Sequence, residues 1–329
     1  MTLIDRRQLV GGSLAAAVVL HAGAGNAALD WPTKPVTLVV PSQPGGGSDV
    51  ATRLLAGKLH QKWGQPVITS YKPGANTAIA AQFVAAARPD GYTLGIGLSS
   101  LMINAALRSS TLLFDTEKDV TGISLVMSGD FGVFAHPSLP ANTIQELVEY
   151  ARANPGKLTY ATGGVGSGSH LAFELFLYSV GVSMVHIPYN GGGVSALTDV
   201  LSGSVPLLVD IAFGVMPRVE QKQLKALAVT GPKRSTFFPN IPSIAETVPG
   251  YEALSYLGVI GSSQIPKDIL ARISQDVQDV VNDPSMQDQM RVLGMEPMAS
   301  TTEEFQSLIH SQIEKWASVA LTAGIKVTN

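Results

Sequence analysis

Short apolar runs alternate with stretches of helical period along most of this chain. Residues 36–40, Val-Thr-Leu-Val-Val, have the length and β-branched content of a buried strand. After a Pro-Gly-Gly-Gly loop, Leu54, Leu55 and Leu59 fall on one face of a helix expected over residues 50–63, stopped by Gly64-Gln65-Pro66. A strand over 67–71, a loop over 72–76, an alanine-rich helix over 77–88, the turn Pro89-Asp90-Gly91 and a strand over 92–97 ending in Leu98-Ser99-Ser100 follow. Strand, helix, strand, helix, strand with connections of this length imply a parallel sheet.

Residues 114–126 lose the period and carry Asp115, Glu117, Lys118 and Asp119, so they are expected to cross into a second domain. That domain is expected to hold a strand over 132–135, a helix over 143–153, strands near 157–162 and 185–188, helices over 171–180 and 194–201, and strands over 206–211 and 224–229. Residues 230–249, rich in proline and basic side chains, form the return crossing, and a strand near 253–258 rejoins the first sheet. Helices over 267–281, 284–293 and 302–323 close the chain. The expected fold is therefore α/β, with one domain made of residues 29–125 plus 231–329 and another of 126–230. Two crossings between two such halves make a hinge of the kind that closes on a small ligand.

Three strand-to-helix turns repeat one chemistry. Pro44-Gly45-Gly46-Gly47-Ser48-Asp49 opens the first helix, Gly163-Gly164-Val165-Gly166-Ser167-Gly168-Ser169-His170 another, and Asn190-Gly191-Gly192-Gly193 a weaker third. The first amides of a helix have no partner within it and carry partial positive charge, so they suit an anion, and glycine lets that backbone approach a ligand closely. Loops at the carboxyl ends of parallel strands are where open α/β sheets bind ligands. A tight turn in any α/β protein would read the same at one loop alone; the repetition favours a binding role. Neither of the two major loops holds lysine or arginine. Backbone amides and hydroxyls from Ser42, Ser48, Ser99, Ser100, Ser167 and Ser169 would therefore do the gripping, and Asp49 and Asp210 are the acidic candidates, either as ligand contacts or as loop anchors.

Composition narrows the function further. With 45% hydrophobic and 14% charged residues in 329, the chain can bury two cores, which argues against disorder. A net charge of −3 without a basic run makes nucleic acid and anionic membranes poor partners, and the absence of cysteine removes disulfides and thiol chemistry. Arg6 and Arg7, the short apolar stretch 9–20 and the small residues 22–28 describe a secretory signal peptide over 1–28, with the adjacent arginines suggesting the twin-arginine route. A periplasmic protein is expected.

The six histidines have no metal-ligand spacing, and only His170, at a helix start, is placed to contact a ligand. Gly164-Val165-Gly166-Ser167-Gly168 misses the nucleophile-elbow pattern, and Ser169 stands where a phosphate loop would have lysine. No cofactor or metal is expected. An exported hydrolase or transferase using Ser167 with His170 is the alternative from the enzyme class, and a ligand sensor for a signalling partner is another.

Several longer motifs carry a family likeness. Trp31-Pro32-Thr33-Lys34-Pro35, the Pro-Gly-Gly-Gly-Ser-Asp loop, Arg88-Pro89-Asp90-Gly91-Tyr92-Thr93-Leu94, Ala153-Asn154-Pro155-Gly156-Lys157-Leu158, Ile187-Pro188-Tyr189 and the stretch from Lys315-Trp316 to Lys326 span the chain in order. In these the sequence resembles the Bug-type periplasmic solute receptors of tripartite tricarboxylate transporters. The resemblance implies a bilobal Venus flytrap fold and a noncatalytic monomer that delivers a small organic carboxylate to a membrane permease. It also implies ligand contacts at Gly46, Gly47, Ser48, Ser167, Ser169 and His170, with Ser42, Asp49, Ser99, Ser100, Gly164 and Asp210 as further candidates. Gln43 replaces a proline common in that family and Asn190 a lysine, two departures beside the expected pocket that bear on ligand choice.

Overall fold

The computed structural model describes residues 30–189 and 193–323. The expected signal peptide, Asn190 to Gly192 of the third glycine loop and the expected stop at Gly324 lie outside the described residues. Strand β1 (Val36–Val40) is almost entirely buried and lies between β2 (Val67–Tyr71) and β3 (Thr93–Leu98), both parallel to it. Helices α1 (Gly47–Trp63) and α2 (Ala78–Ala85) make the crossovers that parallel pairing demands.

Two helices follow strands without any loop and were not expected from the sequence. Helix α3 (Ser99–Arg108) starts directly after β3, with extended Leu98 as its N-cap and no side-chain cap. Later, α7 (Ala212–Glu220) starts directly after β7 (Leu207–Ile211), again uncapped by a side chain. At both starts the cap position itself is apolar, Leu98 and Ile211, with Ser99 and Asp210 one residue away from it, so the usual boundary signal is displaced.

The largest correction concerns β4, one strand of 16 residues, Val120–Ala135, where a crossing and a separate short strand were expected. Its residues 120–130 pair antiparallel with β9 (Leu254–Ser262), and from Phe131 to Ala135 it pairs with β7 and with β8 (Lys225–Val229). Register shifts at Gly122/Ser124 and Leu125/Met127 break the alternation that would have marked the strand. The rest of the second half runs through α4 (Ile144–Ala153), β5 (Thr159–Thr162), α5 (Gly168–Val180), β6 (Val185–Pro188) and α6 (Gly193–Leu201). After β9 come α8 (Lys267–Asn282), α9 (Pro284–Val292), β10 (Glu296–Pro297), which pairs with β4, and α10 (Thr302–Ala323).

The sheet order β2-β1-β3-β9-β4-β7-β5-β6 places β4 in the middle. Since β9 and β7 are both antiparallel to β4, β1–β3 run one way and β5–β7 the other. Leu98, ending β3, pairs with Leu257 opposite Met127, and Ile211, ending β7, pairs with Phe131. Both parallel triplets thus aim their carboxyl ends at the stretch where β4 passes from one set of partners to the other. Helix α10 spans the same divide: Phe305 and Ile309 enter the core around α2, α3 and β9, and Trp316 enters the core around α4 and α5.

Candidate functional site

The first glycine loop is held from behind. Gly46 is the extended N-cap of α1 and has no side-chain cap, so the helix begins at Gly47, earlier than expected, and Ser48 and Asp49 belong to its first turn. The buried Asp49 carboxylate accepts from the Gly45 amide at 2.8 Å, from Tyr71 Oη at 2.7 Å and from Arg53 Nη2 at 2.6 Å. Burial raises the Asp49 carboxyl, but Arg53, Gly45 and Tyr71 together outweigh that and hold it below the usual carboxylate range. Its acceptors are taken up by the loop, by α1 and by β2, which is the anchoring reading of this residue. In front of the loop, Ser42 and Ser48 hydroxyls lie 2.8 Å apart beside the open end of α1. A Cβ on Gly47 would stand 2.8 Å from the Phe213 ring, so glycine is what allows this close approach.

The second loop caps α5. Ser167 Oγ accepts from the His170 amide and lies 3.2 Å from Ser169 Oγ, and His170 Nδ1 accepts from the Gly166 amide, also at 3.2 Å. That bond makes Nε2 the protonated ring nitrogen. The His170 ring stacks on His186 at 4.0 Å between centroids, and His186 stacks in turn on Tyr160 at 5.0 Å. Burial, followed by the neighbouring His186 and Arg108, lowers the His170 pKa to about 3, and burial lowers that of His186 to about 4. Both rings are therefore neutral at physiological pH. The Ser167 hydroxyl meets the His170 backbone and the Ser169 hydroxyl rather than the His170 ring, unlike a nucleophile resting against its base.

The first loop faces the start of α6, while the second packs against the start of α3 and against β4 at Phe131. A Cβ on Gly46 would lie 3.8 Å from Val194 at the start of α6, and one on Gly168 would lie 3.4 Å from Ser99 Cβ and 2.6 Å from the Phe131 ring. A cavity of about 770 Å³ is lined by Ser42, Gly46, Gly47, Ser48 and Asp210 among the candidates. Asp210 Oδ1 accepts from the Ile211 amide at 2.8 Å, and the carboxylate packs on Gly193, where a Cβ would come within 1.7 Å of Oδ2. Burial raises the Asp210 carboxyl to about 6, against the pull of the Ile211 amide. Ser99, Ser100, Ser167, Ser169 and His170 are buried and do not line that cavity, and Ser99 Oγ accepts from the Tyr256 amide at 2.9 Å. Gly164 turns the chain ahead of Ser167 at φ +129°.

Sequence reading missed the residues that join these parts. Ala75, Asn76 and Thr77, after β2, all have positive φ, a strained conformation for non-glycine residues that surrounding contacts must hold. Asn76 Nδ2 donates to the Gly166 carbonyl at 2.5 Å, Asn104 Nδ2 donates to the Asn76 carbonyl at 2.6 Å, and Arg108 Nη2 reaches the Val165 carbonyl at 3.3 Å. Thr77 Oγ1 and Arg108 Nε are buried with no hydrogen-bond partner among the described residues, so polar groups near the second loop are left to be satisfied. Only the asparagine after Lys72-Pro73-Gly74-Ala75 signals this in sequence, because asparagine tolerates positive φ.

Comparison with known proteins places this geometry in context. Residues 51–325 match the family described as "Tripartite tricarboxylate transporter family receptor". The chain is 32% identical over 296 residues to a UPF0065 protein of Bordetella bronchiseptica, covering 90% of this chain and 88% of that protein. It is 29% identical over 300 residues to protein BugT of Bordetella pertussis, covering 90% and 91%. Among solved structures, Rpa4515 of R. palustris with adipate is 34% identical, with a TM-score of 0.87 over 90% of this chain and 99% of that one. MatC from Rhodopseudomonas palustris with bound malate is 25% identical, with a TM-score of 0.80 over 88% and 99%.

Proposed function

Because the chain belongs to the tripartite tricarboxylate transporter receptor family, we propose that it captures a small organic carboxylate outside the cytoplasm and hands it to the membrane permease of such a transporter. The observation that carries this reading is the open amino end of α1, Gly47 and Ser48, inside a cavity of about 770 Å³ that the starts of α6 and α7 also line. Adipate and malate, bound by the two solved relatives, are small dicarboxylates of the kind such a cavity admits. One carboxylate sits at Gly47 and Ser48, where main-chain amides and the helix dipole contribute about 0.3–2 kcal/mol. The second loop, with Ser167, Ser169 and His170, closes on the ligand from the other half of the sheet.

Residues 29–125 with 231–329 form one lobe in this proposal and residues 126–230 the other, and β4 bends between them as the ligand is enclosed. The neutral His170 donates through Nε2 without charge. No catalytic step is assigned: the His170 ring accepts from Gly166 rather than activating Ser167, which supports a binding role over hydrolysis. Export by a leader over residues 1–28 completes the picture, and no helix among the described residues is long and apolar enough to cross a membrane.

The test is thermal denaturation of the mature protein with a panel of mono-, di- and tricarboxylates. A ligand at a hundredfold excess over its Kd stabilises by about 2.7 kcal/mol, so a true ligand raises the melting temperature measurably. A panel without any shift would count against the proposal.

A further inference from the structure

A second cavity, of about 370 Å³, lies beside the first, and the two share Phe213, Phe237, Phe238 and Gly294 as lining. Gly294 lets this wall close up. A Cβ there would stand 2.8 Å from Phe238 Cζ and 3.2 Å from Phe213 Cβ, at a φ of +76° that disfavours any larger residue. The other edge of the Phe213 ring rests on Gly47, so the wall begins at the amino end of α1. On the near side Val194, Leu197, Met216 and Leu293 give the first cavity an apolar strip beside the polar Arg218, Glu220 and Arg291. On the far side the second cavity reaches Asp130, where β4 changes partners, and Lys233 in the segment after β8.

We propose that Phe213 and Phe238 form a partition that sets the longest aliphatic carboxylate this receptor accepts, with the second cavity as the compartment a longer chain enters when the partition is opened. The inference rests on the receptor function proposed above. A ligand anchored by its carboxylate at Gly47 and Ser48 extends along the Phe213 ring. Its unbranched methylene chain gains contact with the apolar side of the cavity until it reaches the aromatic wall. Beyond that length each further carbon has to displace a ring that is itself packed on Gly47. Phe213 is buried at 8% exposure, so it yields at a cost.

Calorimetric titration of saturated linear monocarboxylates from butanoate to decanoate tests this on the wild type, on Phe213→Ala and on Phe238→Ala. Wild-type affinity is expected to rise by about fourfold per buried methylene up to a cut-off and then to fall. Each variant is expected to move the cut-off to longer acids, raising the ratio of long-chain to short-chain affinity by about tenfold or more, the gain of roughly two methylenes. A wild type that binds these acids with no cut-off, or folded variants that keep the wild-type cut-off, would overturn the partition and leave the receptor function standing. A wild type that binds neither these acids nor the wider carboxylate panel would overturn the receptor function and the partition with it. Phe238 is half-buried and tolerates truncation better than Phe213, so one variant reports even where the other does not fold.

Discussion

Asp210 and the stacked histidines carry opposing proton linkage. For His170 and His186, folded pKa values of about 3 and about 4 lie below the ordinary value of 6.5, so the unfolded chain binds more protons in between. Their contribution to stability is therefore lost as pH falls from 6.5 toward 4. Asp210 and Asp130, both raised to about 6 mainly by burial, act the other way, because between about 4 and 6 it is the folded state that binds more protons. The two pairs offset each other across that window. Asp210→Asn removes one of the compensating carboxyls, so its stability falls more steeply than wild type between about pH 6 and pH 4, by up to about 1.4 kcal/mol per pH unit. Denaturant melts at several pH values measure this, and parallel profiles for the two proteins would refute the assignment. Position explains why these residues were only partly legible. Asp210 at the end of an apolar strand and His170 at a helix start stood out, whereas Arg108 and Asn76 meet the second loop only through long-range packing.

Among elements, most strands and helices were read from sequence, and α3, α7 and the length of β4 were not. The run before Gly45-Gly46-Gly47 and the one before Gly163-Gly164 gave β1 and β5 their places, because a glycine turn and a change of period coincide there. Helices α3 and α7 continue from strands with an apolar residue at the cap position, and β4 hides its alternation behind two register shifts. Where β4 changes partners, Thr230 ties three segments together. Its hydroxyl accepts from the Phe131 amide at 2.9 Å and donates to the Ala253 carbonyl at 2.6 Å, in a fully buried position. Thr230→Val keeps the shape and removes both bonds, leaving an amide and a carbonyl without their partner. The expected loss is about 1–3 kcal/mol of stability in a denaturant melt. A loss under about 0.5 kcal/mol would mean that other groups already satisfy both atoms.

For the whole molecule, the governing feature is the opposed direction of β1–β3 and β5–β7 about one long strand, which turns the carboxyl ends of both triplets toward the stretch where that strand changes partners. The alternation of strands and helices carried the α/β class, and the motif resemblance carried the family that residues 51–325 match. The aromatic wall and the second cavity had no sequence signature, since Phe213, Phe238 and Gly294 come from three separate segments. The central claim is that main-chain amides at the amino end of α1 hold the ligand's carboxylate. Amide chemical shifts followed by nuclear magnetic resonance during titration with a carboxylate that stabilises the protein test it most directly. The account predicts large downfield shifts of the Gly47 and Ser48 amide protons that saturate with the binding curve. Saturable binding that leaves both amides unmoved would contradict it.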